Sequence, residues 1–204
     1  MLDEPSWFVS AIGGLDPDAH AALARFKRDF ATVVHDAWPF KHALKPACPI
    51  DARLKYEALA RVEEDESNPH AEITLMRPKA LVASEVDKRD DSGGVTKSTL
   101  QADDTKTSVS SWKDPKTGVE IPFAHVVAAH EFGHMIGVHH INVDKATKHE
   151  EEYGVDYVQA SDIMGHGTGV SKADYAPWLK IAKAYGAEAG AGGACNSWTL
   201  VEPG

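Results

Sequence analysis

The stretch of sequence that most constrains the fold is HVVAAHEFGHMIGVHH, residues 125–140, which places five histidines in sixteen positions. On a helix, His130 and His134 differ by only about 40° around the axis, so both imidazoles leave the same face one turn apart. Two imidazole nitrogens can then reach one metal ion, and Glu131 lies on the flank of that face. Two histidines alone leave such an ion under-coordinated, so the pattern predicts a helix followed by a further ligand.

Gly137 indicates how the chain can supply that ligand. A helix continued past His134 would carry His140 about 240° around the axis, where its imidazole could not reach the same ion. A glycine can adopt the left-handed conformation that ends a helix and turns the chain back. The string HExxHxxGxxH therefore predicts three metal ligands, His130, His134 and His140. It also predicts Gly137 as the helix break and Glu131 as the catalytic carboxylate.

The neighbouring histidines are predicted to lie away from the metal. His125 would lie about 140° around the predicted helix from His130 and should face elsewhere. His139 is the alternative ligand if the register is shifted by one residue from His140. His149, which is followed by three glutamates, is predicted to be a solvated loop residue.

With these residues in place, the chain resembles the metzincin clan of zinc endopeptidases. HEFGHMIGVHH matches the clan's extended zinc motif in full, and SDIMGHG, residues 161–167, is similar to its Met-turn, with Met164 as the turn methionine. The resemblance covers about residues 120–186, and the general layout is closest to matrixin-like members. One departure is His166, where astacin- and serralysin-like members place a tyrosine. We expect no role for His166 at the metal.

The resemblance implies an α+β fold of the metzincin-like zincin type. Such a fold has a twisted mixed sheet with helices, an active-site helix, and a small C-terminal subdomain that contains the Met-turn and a terminal helix. The chain is expected to be a single catalytic domain over residues 1–204, with an upper subdomain over about 1–137 and a lower subdomain over about 138–204. Tyr175 is expected to pack on the last helix.

The resemblance also implies the function of a zinc-dependent endopeptidase. One catalytic Zn²⁺ would activate a water, Glu131 would act as the general base, and the partner would be a protein or peptide substrate. Two alternatives stay open: a non-proteolytic zinc-binding domain of a larger assembly, and a dedicated toxin or effector protease with one narrow protein substrate. Some clan members also bind calcium, but no ligand spacing in the acidic loops defines a calcium site.

Composition narrows the remaining partners. The 204 residues carry a formal net charge of −10, so phosphate backbones would be repelled and nucleic acid is not expected as a partner. No stretch approaches the roughly 18 apolar residues that span a bilayer. No signal peptide is predicted, because the first residues are acidic where a secretory signal is basic, although the resemblance favours secretion or export. Cys48 and Cys195 allow one disulfide, and both the bridged and the free form stay open.

Periodicity and turn residues predict the other elements. Apolar residues at helical spacing predict a helix over 17–38, and alternation predicts strands over 50–62 and 71–77. A polar, glycine-containing loop is expected over 87–105, followed by an edge strand over 107–112. The further elements expected are the motif helix over about 122–136, a helix from the Ser171–Asp174 capping box to Gly186, and a short C-terminal segment, SWTLV.

Overall fold

The protein combines small β-sheets with helices, which confirms the α+β class at that level. The structure is a computed structural model, and it describes residues 7–11, 17–38, 42–46, 56–57, 62, 67, 70–76, 84–86, 96–188 and 197–201. The chain forms two compact units, which comprise residues 1–37 with 61–169 and residues 38–60 with 170–204. The subdomain boundary expected near residue 137 falls inside the first unit.

The predicted helix over 17–38 is confirmed as α1, which buries Phe26, Phe30 and Val34 at the spacing of one helix face. In chain order, the described residues form β1 (Trp7–Ala11), α1 (Pro17–Ala37), β2 (Ala43–Pro46), β3 (Tyr56–Glu57), β4 (Ala71–Met76), β5 (Glu85–Val86), β6 (Thr96–Gln101), β7 (Ser108–Lys113), β8 (Glu120–His125), α2 (Val127–Met135), α3 (His149–Glu152), α4 (Tyr157–Ala160), a 3₁₀ turn (Ala173–Tyr175), α5 (Ala176–Glu188) and β9 (Trp198–Val201).

A four-stranded mixed sheet belongs to the first unit, with the strand order β1-β4-β6-β5. Strand β4 runs parallel to both β1 and β6, and β5 pairs with β6 in the antiparallel sense. The predicted strand over 71–77 is confirmed as β4. Its residues Ala71, Ile73 and Leu75 are buried and alternate with half-buried ones, as a strand with one core-facing side requires.

The loop expected over residues 87–105 is wrong over Thr96–Gln101, because β6 lies there and pairs with β4, whereas residues 102–105 form turns as expected. Residues 87–95 of that loop lie outside the described residues. Along β6, Thr96, Ser98 and Leu100 are buried in alternation. Short hydroxyl side chains fill two of these inward positions, so a buried strand resembles a polar loop when only side-chain polarity is considered.

The predicted start of the motif helix at residue 122 is also wrong. Residues Glu120–His125 form β8, which pairs antiparallel with β7, and α2 begins only at Val127. The edge strand predicted over 107–112 is confirmed as β7. Along β8, exposed and half-buried residues alternate with the period of a strand. This alternation is short and leads directly into the apolar residues of α2, so the sequence pattern was assigned to the helix.

The second unit contains the three-stranded antiparallel sheet β3-β2-β9 and helix α5. Strand β9 lies in the SWTLV segment and pairs with β2. In the strand predicted over 50–62, Tyr56–Glu57 forms β3 and Val62 lies outside any strand. The other positions of that predicted strand, and both cysteines, Cys48 and Cys195, lie outside the described residues.

The predicted capping residues open the last helical segment. The Asp174 carboxylate accepts hydrogen bonds from the Ser171 backbone nitrogen at 2.6 Å and from its hydroxyl at 3.0 Å. This is the reciprocal half of a capping box. The 3₁₀ turn holds Tyr175, which is buried with its ring centroid 5.5 Å from that of Trp178, so its predicted packing role is confirmed. Helix α5 ends at Glu188 rather than at Gly186.

In the part of the chain that the structure describes, no helix is both long enough and apolar enough to cross a membrane.

Candidate metal and catalytic site

Gly137 ends the motif helix as the sequence predicts. Its φ is +89°, and its backbone nitrogen donates to the His134 carbonyl at 3.0 Å. The Val138 nitrogen donates to the Gly133 carbonyl at 2.8 Å. These two bonds form a Schellman motif, in which the left-handed residue is usually glycine. A Cβ at Gly137 would meet no atom within 4 Å, so the backbone conformation, and not a lack of space, requires glycine here.

The turn at Gly137 brings the three predicted ligands together. One side-chain nitrogen from each of His130, His134 and His140 lies within 4.8 Å of the others, an arrangement that could hold a metal ion. The Nε2 atoms of His134 and His140 are 3.1 Å apart. His139 is exposed, so the structure favours His140 over its neighbour as the third donor.

Each of the three imidazoles is oriented by an oxygen of the protein. The Nδ1 of His130 lies 2.7 Å from the Ile163 carbonyl, and the Nδ1 of His134 lies 2.9 Å from the Val138 carbonyl. A carbonyl oxygen can only accept a hydrogen bond, so these two Nδ1 atoms carry the proton and the lone pair is on Nε2. The Nδ1 of His140 lies 3.2 Å from the Glu152 carboxylate. The Nε2 atoms are therefore the ones that could bind a metal, and the Nδ1 atoms hold the rings in place.

Burial keeps the three rings uncharged. It lowers the pKa of His130 well below its usual value and the pKa of His134 to about 4. The pKa of His140 is also lowered by burial, although the Glu152 carboxylate opposes this shift. Two uncharged Nε2 atoms 3.1 Å apart direct lone pairs at each other, which is unfavourable unless a cation lies between them. Nitrogens on one tetrahedral zinc at about 2.0 to 2.1 Å would be about 3.3 Å apart, so His134 and His140 have nearly the spacing of two ligands of such an ion.

The predicted Met-turn lies against this cluster. Met164 is completely buried, and the carbonyl that immediately precedes it, that of Ile163, is the oxygen bound to His130. The Asp162 side chain accepts from the Met164 nitrogen at 2.9 Å, and the Asp162 carbonyl accepts from the Gly165 nitrogen at 2.9 Å. A methionine-containing turn thus sets the orientation of one metal donor through its backbone.

Glu131 lines a cleft next to the donors. Glu131 is buried, with 8% of its surface exposed. Together with His130 it lines a cleft of about 410 Å³. The polar residues that also line the cleft are Ser84, Gln101, Asp104, Ser110, His125, Tyr153 and His166. The predicted catalytic carboxylate and one of the predicted metal donors, His130, therefore line one cavity, within one compact unit of the chain.

Two histidines lie closer to the site than the sequence suggests. The His125 ring centroid is 5.4 Å from that of His130, so the prediction that His125 faces away is wrong. The error arose because His125 ends β8 and does not lie on the helix. His166 also lines the cleft, with its Nδ1 2.7 Å from the Ser110 hydroxyl. His149 has a side chain that is 72% exposed, as expected of a solvated residue, although it begins α3 rather than lying in a loop.

Sequence reasoning missed two consecutive residues, Glu152 and Tyr153. Glu152 accepts from His140, and the Tyr153 ring centroid lies 4.1 Å from that of His140. Burial, followed by the charges of Glu131 and Glu152, raises the pKa of the Tyr153 hydroxyl. Their segment, EEEYG, follows the motif without a recognisable spacing, so no sequence signal distinguishes them from a solvated acidic stretch.

Comparisons with protein-family models, with curated proteins and with solved structures find no match to this chain.

Proposed function

We propose that this chain is a zinc-dependent endopeptidase of the metzincin clan. The observation that carries the proposal is the convergence of three uncharged imidazoles, each with its Nδ1 bound by the protein, beside a cleft that also contains Glu131. Further support comes from the glycine-ended helix, from the methionine turn that orients His130, and from the mixed sheet of the same unit.

The number of donors favours a catalytic site over a structural one. Structural zinc sites have four protein ligands, whereas catalytic sites commonly have three and keep one position open. The cluster in the described residues offers three, His130, His134 and His140. When bound, zinc would supply Lewis acidity, which polarises a carbonyl and makes a water more acidic. The alternative of a non-proteolytic zinc domain does not account for a buried carboxylate in the adjoining cleft.

Glu131 is suited to moving a proton between the attacking water and the leaving amine. It directly follows a metal donor in the sequence, lies in the cleft wall, and is not one of the three donors. A carboxylate held in this way can take a proton as the peptide carbonyl is attacked and then give it to the departing nitrogen. We assign it the role of general base and then general acid.

An extended peptide is the substrate that the surroundings favour. Strand β7 contributes Ser110 to the cleft, and among the described residues β7 pairs only with β8. The opposite edge of β7 can therefore accept main-chain hydrogen bonds from an added strand, which is a common way to bind an extended peptide. This geometry suits cleavage inside a chain.

The proposal is tested by incubating the zinc-loaded chain with a pool of unstructured peptides and identifying new termini by mass spectrometry. We expect internal cleavage that stops when a chelator removes the metal and returns when zinc is restored. If a chain that demonstrably holds zinc produces no new termini, the peptidase proposal is wrong, and a zinc-binding domain without proteolytic activity becomes the better interpretation.

A further inference from the structure

The Tyr153 ring is packed between the metal donors and the cleft. Its centroid lies 4.1 Å from that of His140 and 6.1 Å from that of His130, with its plane inclined by 20° to the His130 ring. On the cleft side, the centroid of His166 is 5.3 Å away. The aromatic ring of Tyr153 therefore contacts two of the three donors and also lines the cavity that contains Glu131.

The backbone on both sides of Tyr153 is held in place. The carbonyl of the preceding residue, Glu152, accepts a hydrogen bond from the Asn142 nitrogen at 3.0 Å. The carbonyl of the following residue, Gly154, accepts a hydrogen bond from the Trp112 indole at 2.9 Å. Gly154 has a φ of +127°, and an added Cβ would lie 2.7 Å from the Ala160 nitrogen, so this segment packs closely against α4. These contacts place the phenol at the cleft wall in the absence of a substrate.

The hydroxyl of Tyr153 has no hydrogen-bond partner among the residues that the structure describes. It is also absent from the fully buried polar atoms that lack a partner, so solvent or a ligand can reach it. A tyrosine with a half-buried ring usually satisfies its hydroxyl, and one that leaves it open at the wall of a cleft has a donor available for a ligand. A phenol hydroxyl can donate one hydrogen bond.

We infer that Tyr153 is a further catalytic residue, whose hydroxyl donates a hydrogen bond to the oxygen of the scissile carbonyl. This inference rests on the proposed peptidase function. As the carbonyl is attacked, its oxygen gains negative charge, and a donor already in place stabilises that charge more than it stabilises the uncharged substrate. Tyr153 keeps its proton throughout, and Glu131 carries out the proton transfer.

His166 is less suited to this role, although it lines the same cleft. Its Nδ1 lies 2.7 Å from the Ser110 hydroxyl, so one of its two nitrogens is already engaged by the protein. Its ring contacts that of Tyr153, and it is Tyr153 that packs directly on His140. We therefore assign the donor to Tyr153 and a supporting position in the cleft wall to His166.

The competing interpretation is that Tyr153 only supports the His140 ring. Tyr153→Phe separates a supporting role from a catalytic one, because it keeps the aromatic ring and removes only the hydroxyl. The hydroxyl makes no hydrogen bond to a described residue, so its removal breaks none of them. Tyr157→Phe is the matched control, since Tyr157 is 58% exposed and lies outside the cleft wall. Both variants are loaded with zinc and assayed on the peptide that the wild-type chain cleaves best.

For Tyr153→Phe we expect kcat to fall by about 100-fold, which is typical of removing one oxyanion donor, while KM changes little. Zinc bound per chain should stay at the wild-type value. The affinity for a phosphinic analogue of the same peptide, which carries a tetrahedral anionic centre, should fall by a similar factor. Tyr157→Phe should match the wild type in every measurement.

Each other outcome overturns the assignment in a distinguishable way. Wild-type kcat and wild-type analogue affinity in Tyr153→Phe would show that the hydroxyl has no catalytic role, and the peptidase proposal would stand. A fall in kcat that is accompanied by lost zinc would make Tyr153 a support for His140 instead of a catalytic residue. A zinc-loaded wild-type chain that cleaves no peptide would overturn the peptidase proposal and this inference with it.

Discussion

In the histidine cluster, the Nδ1 atoms of His130, His134 and His140 each face an oxygen of the protein, at 2.7, 2.9 and 3.2 Å. In the adjoining cleft wall, the Tyr153 hydroxyl makes no hydrogen bond to a described residue. The first arrangement fixes ring orientations before a metal binds, whereas the second leaves a donor for the substrate. Metal affinity and turnover should therefore respond to separate sets of substitutions.

The substitution expected to disrupt the cluster most is His140→Ala, which removes one of the three donors. Loss of a residue that hydrogen-bonds to a metal ligand typically lowers metal affinity by roughly 10- to 100-fold. We expect the zinc affinity of His140→Ala to fall by more than this, because a ligand itself is removed. His139→Ala is the matched control, because His139 is the exposed neighbour of the same type. Competition titration with a chelating dye measures both affinities. If His139→Ala loses zinc and His140→Ala keeps it, the ligand assignment is in error by one residue.

Acidification tests the cluster without changing the sequence. Burial lowers the pKa of His134 to about 4, against about 6.5 in an unfolded chain. In the metal-free protein the unfolded state therefore binds a proton first as the pH falls. The free energy of unfolding should be at its full value above about pH 6.5 and should decrease toward about pH 4, by up to about 3 kcal/mol from His134 alone.

Denaturant titrations in the presence of a chelator measure this pH dependence. His134→Gln should flatten the profile, whereas His20→Gln, at an exposed position on α1, should leave it unchanged. A wild-type free energy of unfolding that stays constant or rises as the pH falls over this range would contradict the burial of uncharged rings.

Glu152→Ala tests whether the hydrogen bond behind His140 contributes to the cluster. Without the carboxylate at 3.2 Å, the His140 ring loses its orienting partner and some basicity. We expect zinc affinity to fall by about 10- to 100-fold, with kcat changed little once zinc is saturating. Glu150→Ala, at an exposed position of the same short helix, is the control for the loss of one negative charge. Equal zinc affinities in the two variants would show that Glu152 does not contribute to metal binding.

The smallest expected effect belongs to Gly137→Ala, which acts on the backbone behind the cluster. At φ +89° a Cβ is strained, although no atom lies within 4 Å of it. We expect the free energy of unfolding to fall by about 1 to 2 kcal/mol. Gly137→Asn should recover part of this loss, since asparagine tolerates the left-handed region better. Thermal denaturation of the metal-free variants makes the comparison, and a fully stable alanine variant would show that the left-handed turn is not needed.

Gly137 and the three ligands could be predicted from the sequence because helix geometry and glycine's conformational range relate spacing directly to position. His130 and His134 are separated by one turn, and only a break at Gly137 lets His140 converge. Such local rules act over a few residues. The same reasoning applied to Met164, since a methionine followed by glycine suits a tight turn.

Tyr153 and His125 could not be predicted, because long-range packing and not local spacing places them at the site. His125 reaches the cleft by ending a strand that pairs with β7, and Tyr153 reaches it through a segment with no recognisable motif. The buried strand β6 was missed for a related reason. Thr96 and Ser98 are polar by type, and only their neighbours in the folded sheet make them core residues.

Glu131→Gln separates the two parts of the proposed function, in which the cluster holds zinc and Glu131 moves the proton. The variant keeps all three donors, so zinc per chain should equal that of the wild type, while kcat should fall by about 100- to 10,000-fold on the best-cleaved peptide. Glu150→Gln, the same change at an exposed position, should cleave at the wild-type rate. Undiminished turnover by zinc-loaded Glu131→Gln would show that Glu131 does not transfer the proton.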